Sequence, residues 1–585
     1  MPAEIGDLKD DCPLCKVIAK AVRSASSACG NEILDAPHGP WFTVTPLRHR
    51  DEADDGSVMQ IWTPEPGSRS YQHTSSAKLT PLSNAAANSS QDRLAALYEH
   101  LKSLLATCAR EHTQCVLQSH HVDSPAVRVI DCKTRTLIPP KDEPYLTLSY
   151  VWGSQRSCDP FVDDILYFPA TIEDAISATL ALNFRYLWVD RFCINQSDQA
   201  EVLQQISVMD AIYQKSSLTI IAACGSDAEY GLPGVGVRKR MECYETRSQS
   251  HHIREIVNGR RLIASSRWNE RGWTYQEGLF AQRQLVFTDY GVYYECAENN
   301  AWELDPTPAE PLFTRIAESI EHLSILEILK QYSKRDLSHE TDILFAVSGI
   351  LNALEAHNHD FRHCWGLPIP SIPISSMRDK PLISRPLLVP LIFCLALGWD
   401  HEAHLVGTVP RRAGFPSWSW CGWKGQIGTF QELEDDLTRV YRNTFSKTLA
   451  DDEFLSIRLE KLDGTILDWD QYVDLPPLTR QQQISRFLHI TTFTTAVHIR
   501  AHQSDRRGLK FVPRITSTME VVTNYYDVSK LPTEGYILYL PERKLLVGRV
   551  DGVYERIALF TDAEERRFRL RMKAVDKEIR CLRLG

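Results

Sequence analysis

The sequence predicts an α/β fold built on a parallel sheet at about residues 141–300. A mixed α+β region, 1–140, precedes it. A helical segment with a Pro-rich linker, 301–400, and a β-rich region, 401–585, follow. Three observations predict this. From about residue 141, short apolar runs alternate with amphipathic ones of helical length, the signature of a parallel sheet with helical crossovers. The run Ser217–Cys224 (SLTIIAAC) is apolar through its length, which suits a strand covered on both faces. The chain has 585 residues, 43% of them apolar, enough for three or four domains at about 150 residues each.

The elements follow in order. Two strand-like runs, Trp41–Val44 and Val58–Trp62, lie in the first 63 residues; residues 64–90, rich in Ser, Thr, Asn and Pro, read as a loop. The pattern Ser89-x-x-Asp92 opens a helix whose Leu94, Leu97, Leu101, Leu104 and Cys108 keep helical spacing. Tyr145–Trp152 is the first strand of the α/β unit. Thr171-x-x-Asp174 caps a helix with Ile172, Ile176 and Leu180 on one face. Tyr186–Asp190 is the second strand, on which Trp188 and Asp190, two apart, share a face. Asp198-x-x-Glu201 caps a second helix carrying Val202, Ile206, Met209 and Tyr213. Ser217–Cys224 is the third strand, and Gln284–Phe287 is a further one. Residues 312–365 read as helical, with Ser338 as N-cap before Ile343, Leu344, Val347, Ile350 and Leu351. Six prolines from Pro368 to Pro390 make an extended stretch or linker. Asp551-Gly552 between two strand-like runs is a hairpin signal. Arg567, Arg569, Arg571 and Lys573 alternate with Phe568, Leu570 and Met572, the period of a half-buried strand.

Composition excludes several functions. A net charge of −10 excludes a globally basic nucleic-acid binder, and the basic row at 567–573 reads first as a solvated strand face. The N-terminus is acidic and lacks an apolar signal core. Fifteen cysteines without regular spacing read as reduced thiols, so a cytoplasmic setting is expected. The most apolar window, 386–399, is interrupted by Pro390 and too short to span a membrane; it reads as buried core. There is no G-x-S-x-G nucleophile elbow. Gly231–Gly236 fits neither glycine-rich phosphate-binding spacing and reads as a loop. Cys12, Cys15, Cys29 and His38 are residue types of a zinc site, but no second C-x-x-C accompanies them, and no metal or cofactor is assigned. Asp400–His404 is not H-E-x-x-H and reads as a surface cluster. Trp418, Trp420 and Trp423 read by default as core.

Two segments have chemistry to offer. Asp190 ends its strand, where open α/β sheets place ligands, and Arg191–Gln196 follow. The commoner reading is an Asp capping a turn, with Asn195 and Gln196 bonding backbone. In Arg271–Glu277 (RGWTYQE), helical spacing puts Trp273, Gln276, Glu277 and Phe280 on one side. A carboxylate beside Trp and Tyr loses hydration and its pKa rises, which suits acid/base or ribose-binding work. The commoner reading is a solvated Glu at a helix edge, with Trp273 as core.

Three blocks together resemble the fungal heterokaryon-incompatibility (HET) domain: Leu146–Gly153 (LTLSYVWG); Leu187–Gln196 (LWVDRFCINQ), continued by Glu201, Gln205, Met209, Ile212 and Tyr213; and Arg271–Glu277. The resemblance covers about 141–300. Cys12-x-x-Cys15, Gly231–Gly234, Tyr332–Arg335 with Asp342 and Gly349, and Pro416–Trp420 are similar to flanking pieces of longer family members. Arg191-Phe192 departs from the family, which more often has a small residue and then Leu. The resemblance implies a non-self recognition, innate-immunity-like factor of a filamentous fungus. Such domains trigger programmed cell death after an incompatibility partner or sensor protein engages them, or as the chain forms a homo-oligomer. The family is also similar to Toll/interleukin-receptor (TIR) domains, and Trp273-x-x-x-Glu277 resembles the helix that holds the catalytic Glu of NAD-cleaving TIR enzymes.

On that likeness Glu277 is the catalytic residue, holding the riboside hydroxyls and stabilising charge as the glycosidic bond breaks. NAD is then a substrate rather than a cofactor. Tyr150 or Trp152 would stack on a base or nicotinamide, and Asp190, Asn195, Gln196, Arg271, Trp273 and Gln276 complete the substrate-binding candidates. The residues between Asp227 and Glu270 are more than a compact TIR domain needs, which marks an insertion. The alternative is a non-enzymatic self-association or partner-binding module in the same pathway.

Overall fold

The apolar strands at the centre of the α/β region decide its architecture. The computed structural model describes residues 41–46, 57–64, 71–81, 90–113, 128–140, 143–153, 165–166, 168–243, 245–247, 251–303, 325–357, 361–370, 396–401, 410–429, 455–501, 514–515, 520–523, 532–540, 543–559 and 578–585, with Cys115, Phe161, Val162 and Phe393 besides. The chain divides into two units, Met1–Asn269 with Glu277–Phe313, and Glu270–Gln276 with Thr314–Gly585.

The first unit begins with three strands, β1 (Trp41–Pro46), β2 (Ser57–Pro64) and β3 (Tyr71–Pro81), followed by helix α1 (Ser90–Glu111). A hairpin, β4 (Val129–Asp131) and β5 (Thr136–Ile138), leads into β6 (Tyr145–Ser149). Then come α2 (Ala170–Ala181), β7 (Tyr186–Trp188), α3 (Gln199–Ile206), α4 (Met209–Lys215) and β8 (Leu218–Ala222). Two strands follow, β9 (Glu245–Arg247) and β10 (His251–Ile256). After them come α5 (Gly272–Phe280), β11 (Arg283–Phe287), β12 (Val292–Cys296) and β13 (Asn300–Trp302). The boundary between the units falls within α5, after Gln276.

Eight strands form one mixed sheet in the order β13-β12-β11-β8-β6-β7-β4-β5. Its centre is parallel: β11 pairs β8, β8 pairs β6, and β6 pairs β7. Parallel neighbours need crossovers, which α2 supplies between β6 and β7, and α3 with α4 between β7 and β8. Every residue of β6 and β8 is buried, the condition of strands covered on both faces. Thr147 and Thr219 sit opposite each other in register, and their hydroxyls satisfy one another at 2.8 Å. Antiparallel hairpins close both edges, β12 and β13 on one side and β4 and β5 on the other. In chain order the parallel strands run second, first, third, fourth, which puts a topological switch point between β6 and β8.

Several sequence expectations need correction here. Strand β7 stops at Trp188, and Asp190 begins a single helical turn, Asp190–Cys193, so the two do not share a strand face. Thr171 is not the cap: it lies inside the first turn, and its hydroxyl accepts the Gly231 N–H at 3.1 Å. Pro169 is the N-cap of α2, and the Asp174 carboxylate, one turn in, accepts the Leu232 N–H at 2.7 Å and so fastens the Gly231–Gly236 loop. The second helix is two: Ser207 Oγ donates to the Gln204 carbonyl at 2.7 Å, a local bond that competes with helix continuation. Asp198 does cap α3, accepting from the N–H groups of Ala200 and Glu201.

Residues 71–81, expected in a loop, are β3. This strand has neighbours on both sides, β2 and β10, in an antiparallel sheet β1-β2-β3-β10-β9. Two full ladders of backbone hydrogen bonds outweigh the turn-like composition. Because β9 and β10 come from the expected insertion, that insertion supplies a strand pair to this second sheet.

In the second unit, helices α6 (Ile325–Ser333) and α7 (Phe345–His357) flank a short 3₁₀ turn, Glu340–Ile343, whose N-cap is His339 rather than Ser338. A nine-stranded sheet follows, centred on the long strand Ile484–Ala501. Asp551 and Gly552 both take positive φ, 48° and 87°, as the two-residue hairpin requires. Trp399, Trp418 and Trp420 are fully buried, and Trp423 is nearly so. Ser89, residues 312–324 and 371–392, Glu402 to His404, the basic row 567–573, and Cys12, Cys15, Cys29 and His38 lie outside the described residues. Among the described residues no helix is long and apolar enough to cross a membrane.

Asp131 offers a test of the sheet edge. At the end of β4 its buried carboxylate accepts from Arg185 at 3.1, 3.1 and 2.6 Å, and from the N–H groups of Lys133 and Thr134. These bonds, Arg185 first, hold its pKa down at about 2. A carboxylate lowered on folding contributes stability above its unfolded pKa and loses it as pH falls through the folded value. Urea midpoints followed by circular dichroism should therefore drop between about pH 4 and 2, and Asp131→Asn should flatten that dependence. An identical pH profile in the variant would refute the assignment.

Candidate functional site

The C-terminal ends of the parallel strands gather the polar residues of the first unit. After β6 the chain runs through Tyr150 and Trp152 to Gly153, which takes φ +83° against the loop that follows β8. A Cβ at Gly153 would lie 2.5 Å from the Cβ of Asp227, so only glycine allows the two loops to approach this closely. Beyond β7, both Asp190 carboxylate oxygens accept from Trp152 Nε1, at 3.1 and 3.0 Å, and Oδ1 also accepts the Arg191 N–H at 2.7 Å. The Arg191 guanidinium stands 5.9 Å from the centre of the Trp152 ring, within cation–π range. Trp152, Asp190 and Arg191 are all half-buried, so this cluster borders solvent.

Asn195 and Gln196 are exposed and serve the turn. Gln196 Nε2 donates to the carbonyls of Asp190 and Ile194, at 3.0 and 3.3 Å, and Asn195 Oδ1 accepts from the N–H and hydroxyl of Ser197. Glu201 accepts the Asn195 N–H at 2.8 Å and pairs with Arg128.

Glu277 lies at the end of β6. It is 5% exposed, and its Oε2 accepts from Ser149 Oγ at 2.5 Å; Ser149 Oγ in turn accepts from Trp268 Nε1 at 2.7 Å. A buried carboxylate needs such a donor, because leaving a buried polar group unsatisfied costs about 1–3 kcal/mol. Tyr213, on α4, is the neighbour these acids share. Burial pushes its phenol well above the ordinary value; the charges of Glu277 and then Asp190 add to this, and Tyr150 contributes as well. The Tyr213 hydroxyl donates to the Leu148 carbonyl at 3.3 Å, and its ring meets Trp188 edge-on at 5.7 Å.

Glu277 and Asp190 thus both act on the buried Tyr213 phenol through their charge, and Trp152 is bonded to Asp190. The contacts of Arg271, Trp273 and Gln276 belong instead to the second unit. The Arg271 carbonyl accepts from Arg335 at 3.2 Å, Trp273 Nε1 donates to Asp342 at 3.2 Å, and Gln276 Oε1 accepts the Gly349 N–H at 3.2 Å. The Gly272 N–H donates to the Asp336 carbonyl at 2.7 Å, and the Arg335 guanidinium covers the Tyr275 ring at 4.5 Å. Arg335, Asp342 and Gly349 are the flanking residues whose resemblance to the family lay outside the three blocks, and here they are the packing partners of the third block.

Sequence reasoning gave Ser149 and Tyr213 no role at the site and passed over Trp268. Ser149 sits in a fully buried strand, a position where a hydroxyl needs a partner; that was the available signal.

Residues 145–277 match the family model described as Heterokaryon incompatibility protein (HET), from the first residue of β6 to Glu277. No curated protein and no solved structure matches the chain. Over residues 145–277 the chain is similar to a HET domain.

The Trp268–Ser149–Glu277 relay has a measurable cost of removal. Ser149→Ala removes the Ser149 acceptor from a buried indole N–H and a donor from a buried carboxylate. It should lower unfolding free energy by about 1–3 kcal/mol in urea titration. A loss no larger than that of the exposed Ser177→Ala would show that the relay does not hold the domain.

Proposed function

We propose that this chain, similar to a HET domain over residues 145–277, is a heterokaryon-incompatibility factor acting in the cytoplasm of a filamentous fungus. Its HET domain triggers regulated cell death by cleaving NAD once an incompatibility partner or sensor protein, or a second copy, engages it. The observation that carries the reading is the carboxylate of Glu277 held by Ser149 at the switch-point end of β6; the bonded pair Trp152 and Asp190 follows the ends of the adjacent strands β6 and β7. The order of the four parallel strands supports likeness to a TIR domain, since open sheets of this order bind ligands at that crevice.

In the proposed reaction the bond between ribose C1′ and the nicotinamide nitrogen breaks, and its electron pair leaves with nicotinamide. Glu277 holds the ribose hydroxyls and stabilises the positive charge that develops at C1′. Water then adds there and releases a proton. Such electrostatic stabilisation is commonly worth about 10²–10³ in rate. Trp152, tethered by Asp190 and faced by Arg191, offers a ring for stacking.

A second reading rests on an equally specific observation. Glu277 is 5% exposed and already accepts the Ser149 hydroxyl, as a residue that locks the domain would. In that reading the HET domain self-associates or binds a partner without chemistry.

Glu277→Gln separates the two, because an amide oxygen still accepts the Ser149 hydroxyl. Overexpressed in a filamentous fungus, wild type should lower cellular NAD and viability, while the variant should leave both intact. With purified concentrated protein, nicotinamide release should fall by about 100-fold or more. Undiminished killing by a folded Glu277→Gln protein, with NAD unchanged, would establish the non-enzymatic reading.

A further inference from the structure

Away from the HET site, four side chains of the first unit converge where helix α1 ends. Cys108 lies in the last turn of α1, His112 one turn on, and Cys115 three residues further. Only Cys108 lies within α1, which ends at Glu111; the spacing i, i+4, i+7 is that of one helical face, and the three ligand atoms stay together just past the helix end. The fourth, Cys296, ends β12 at the tight turn into β13, where its N–H donates to the Asn299 carbonyl at 2.8 Å. The ligand atoms of Cys108, His112, Cys115 and Cys296 all lie within 4.8 Å of one another, and the three cysteines are buried. His112 Nδ1 is 3.2 Å from Cys296 Sγ.

We propose that these four residues are a structural zinc site of Cys₃His type, which fastens α1 to the β12–β13 edge of the sheet. Three physical arguments support it. The donors number four and are all soft or borderline, the set that selects Zn²⁺ and closes its coordination shell with no position left for water. Zinc–sulfur bonds of about 2.3 Å in a tetrahedron put sulfurs roughly 3.8 Å apart, so the cluster needs to contract by no more than about 1 Å. A disulfide would use two of the thiols and leave the third and His112 without a role.

The surroundings fit the charge. Three thiolates around Zn²⁺ leave one net negative charge, and the Arg283 guanidinium donates from Nε to Cys108 Sγ at 3.0 Å. Nη1 of the same Arg283 donates to the Ser217 carbonyl at 3.3 Å, at the start of β8. One side chain therefore offsets the cluster's charge and ties it to the parallel core, the part an outer-shell partner plays. Beside the cluster, Thr113 Oγ1 donates to Glu298 at 3.4 Å, a second clasp between the same elements.

The experiment uses the full chain expressed with zinc in the medium and purified without chelator. Elemental mass spectrometry should find about one zinc per chain. Cys296→Ser and the double variant Cys108→Ser/Cys115→Ser should lose it, while Cys132→Ser, at a buried thiol elsewhere, should keep it. Arg283→Gln should retain the metal but weaken its hold about 10-fold against a competing chelator. Should a ligand variant fail to fold, cobalt exchanged into the wild-type protein provides the independent readout, a thiolate-to-cobalt charge-transfer band with tetrahedral visible absorption. Zinc-free wild-type protein, zinc retained in the double variant, absence of the cobalt bands, or a disulfide joining two of these cysteines would each overturn the proposal.

Discussion

The hydrogen bond from Ser149 to Glu277 is the constraint around which the HET domain is arranged. A carboxylate buried to 5% exposure is kept inside at low cost only with a donor at hand, and the donor here stands at the end of a fully buried strand. Ser149 supplies that donor and takes a second bond from Trp268, so strand β6, the segment before α5, and α5 itself are held at one point. Tyr213 and Asp190 enter the same electrostatic neighbourhood from α4 and from the turn after β7. Residues far apart in sequence thus share one set of charges.

The parallel centre was legible in the sequence because burial on both faces leaves an unbroken apolar run, which turn signals and caps then delimit. Ser217–Cys224 and Asp198 before α3 are examples. The antiparallel edges were harder to read. Strand β3 consists largely of Ser, Thr and polar residues; its strand character comes from two neighbours, one of them more than 160 residues later, a relation no local window contains. Asp174 misled for a related reason. It stands where a capping box would put an acid, but its carboxylate serves the backbone of a loop 58 residues away.

The candidate site divided in the same manner. Its place after a strand pointed to Asp190 and the family resemblance to Trp152; the hydrogen bonds that join the two were in neither signal. Helical spacing grouped Trp273, Gln276 and Glu277 on α5, and the helix is there, but one face can serve two masters. Trp273 and Gln276 are anchored by Asp342 and Gly349, whereas Glu277 is anchored by Ser149. Periodicity reports which side chains lie together on a helix and does not report what each will meet. The four potential zinc ligands illustrate the same limit. Three follow helical spacing, but the fourth lies 181 residues beyond Cys115, and only the closed sheet brings it near.

The span matched by the family, 145–277, is smaller than the structure that makes it stable. It begins at β6 and ends before β11, yet β11 pairs β8 over Thr219–Ala222, and β4 pairs β7 through Ile130 and Asp131. A chain cut at those limits would expose the edges of two buried apolar strands, an arrangement that invites association rather than folding. The hairpins β4–β5 and β12–β13 therefore act as edge protection for the HET sheet. Arg283 lies on β11 and bonds Cys108 of α1, so the protective strands are themselves secured to the helix that precedes them. In physical terms the folded unit that contains the matched span is the complete eight-stranded sheet, with β6, which carries Ser149, near its centre.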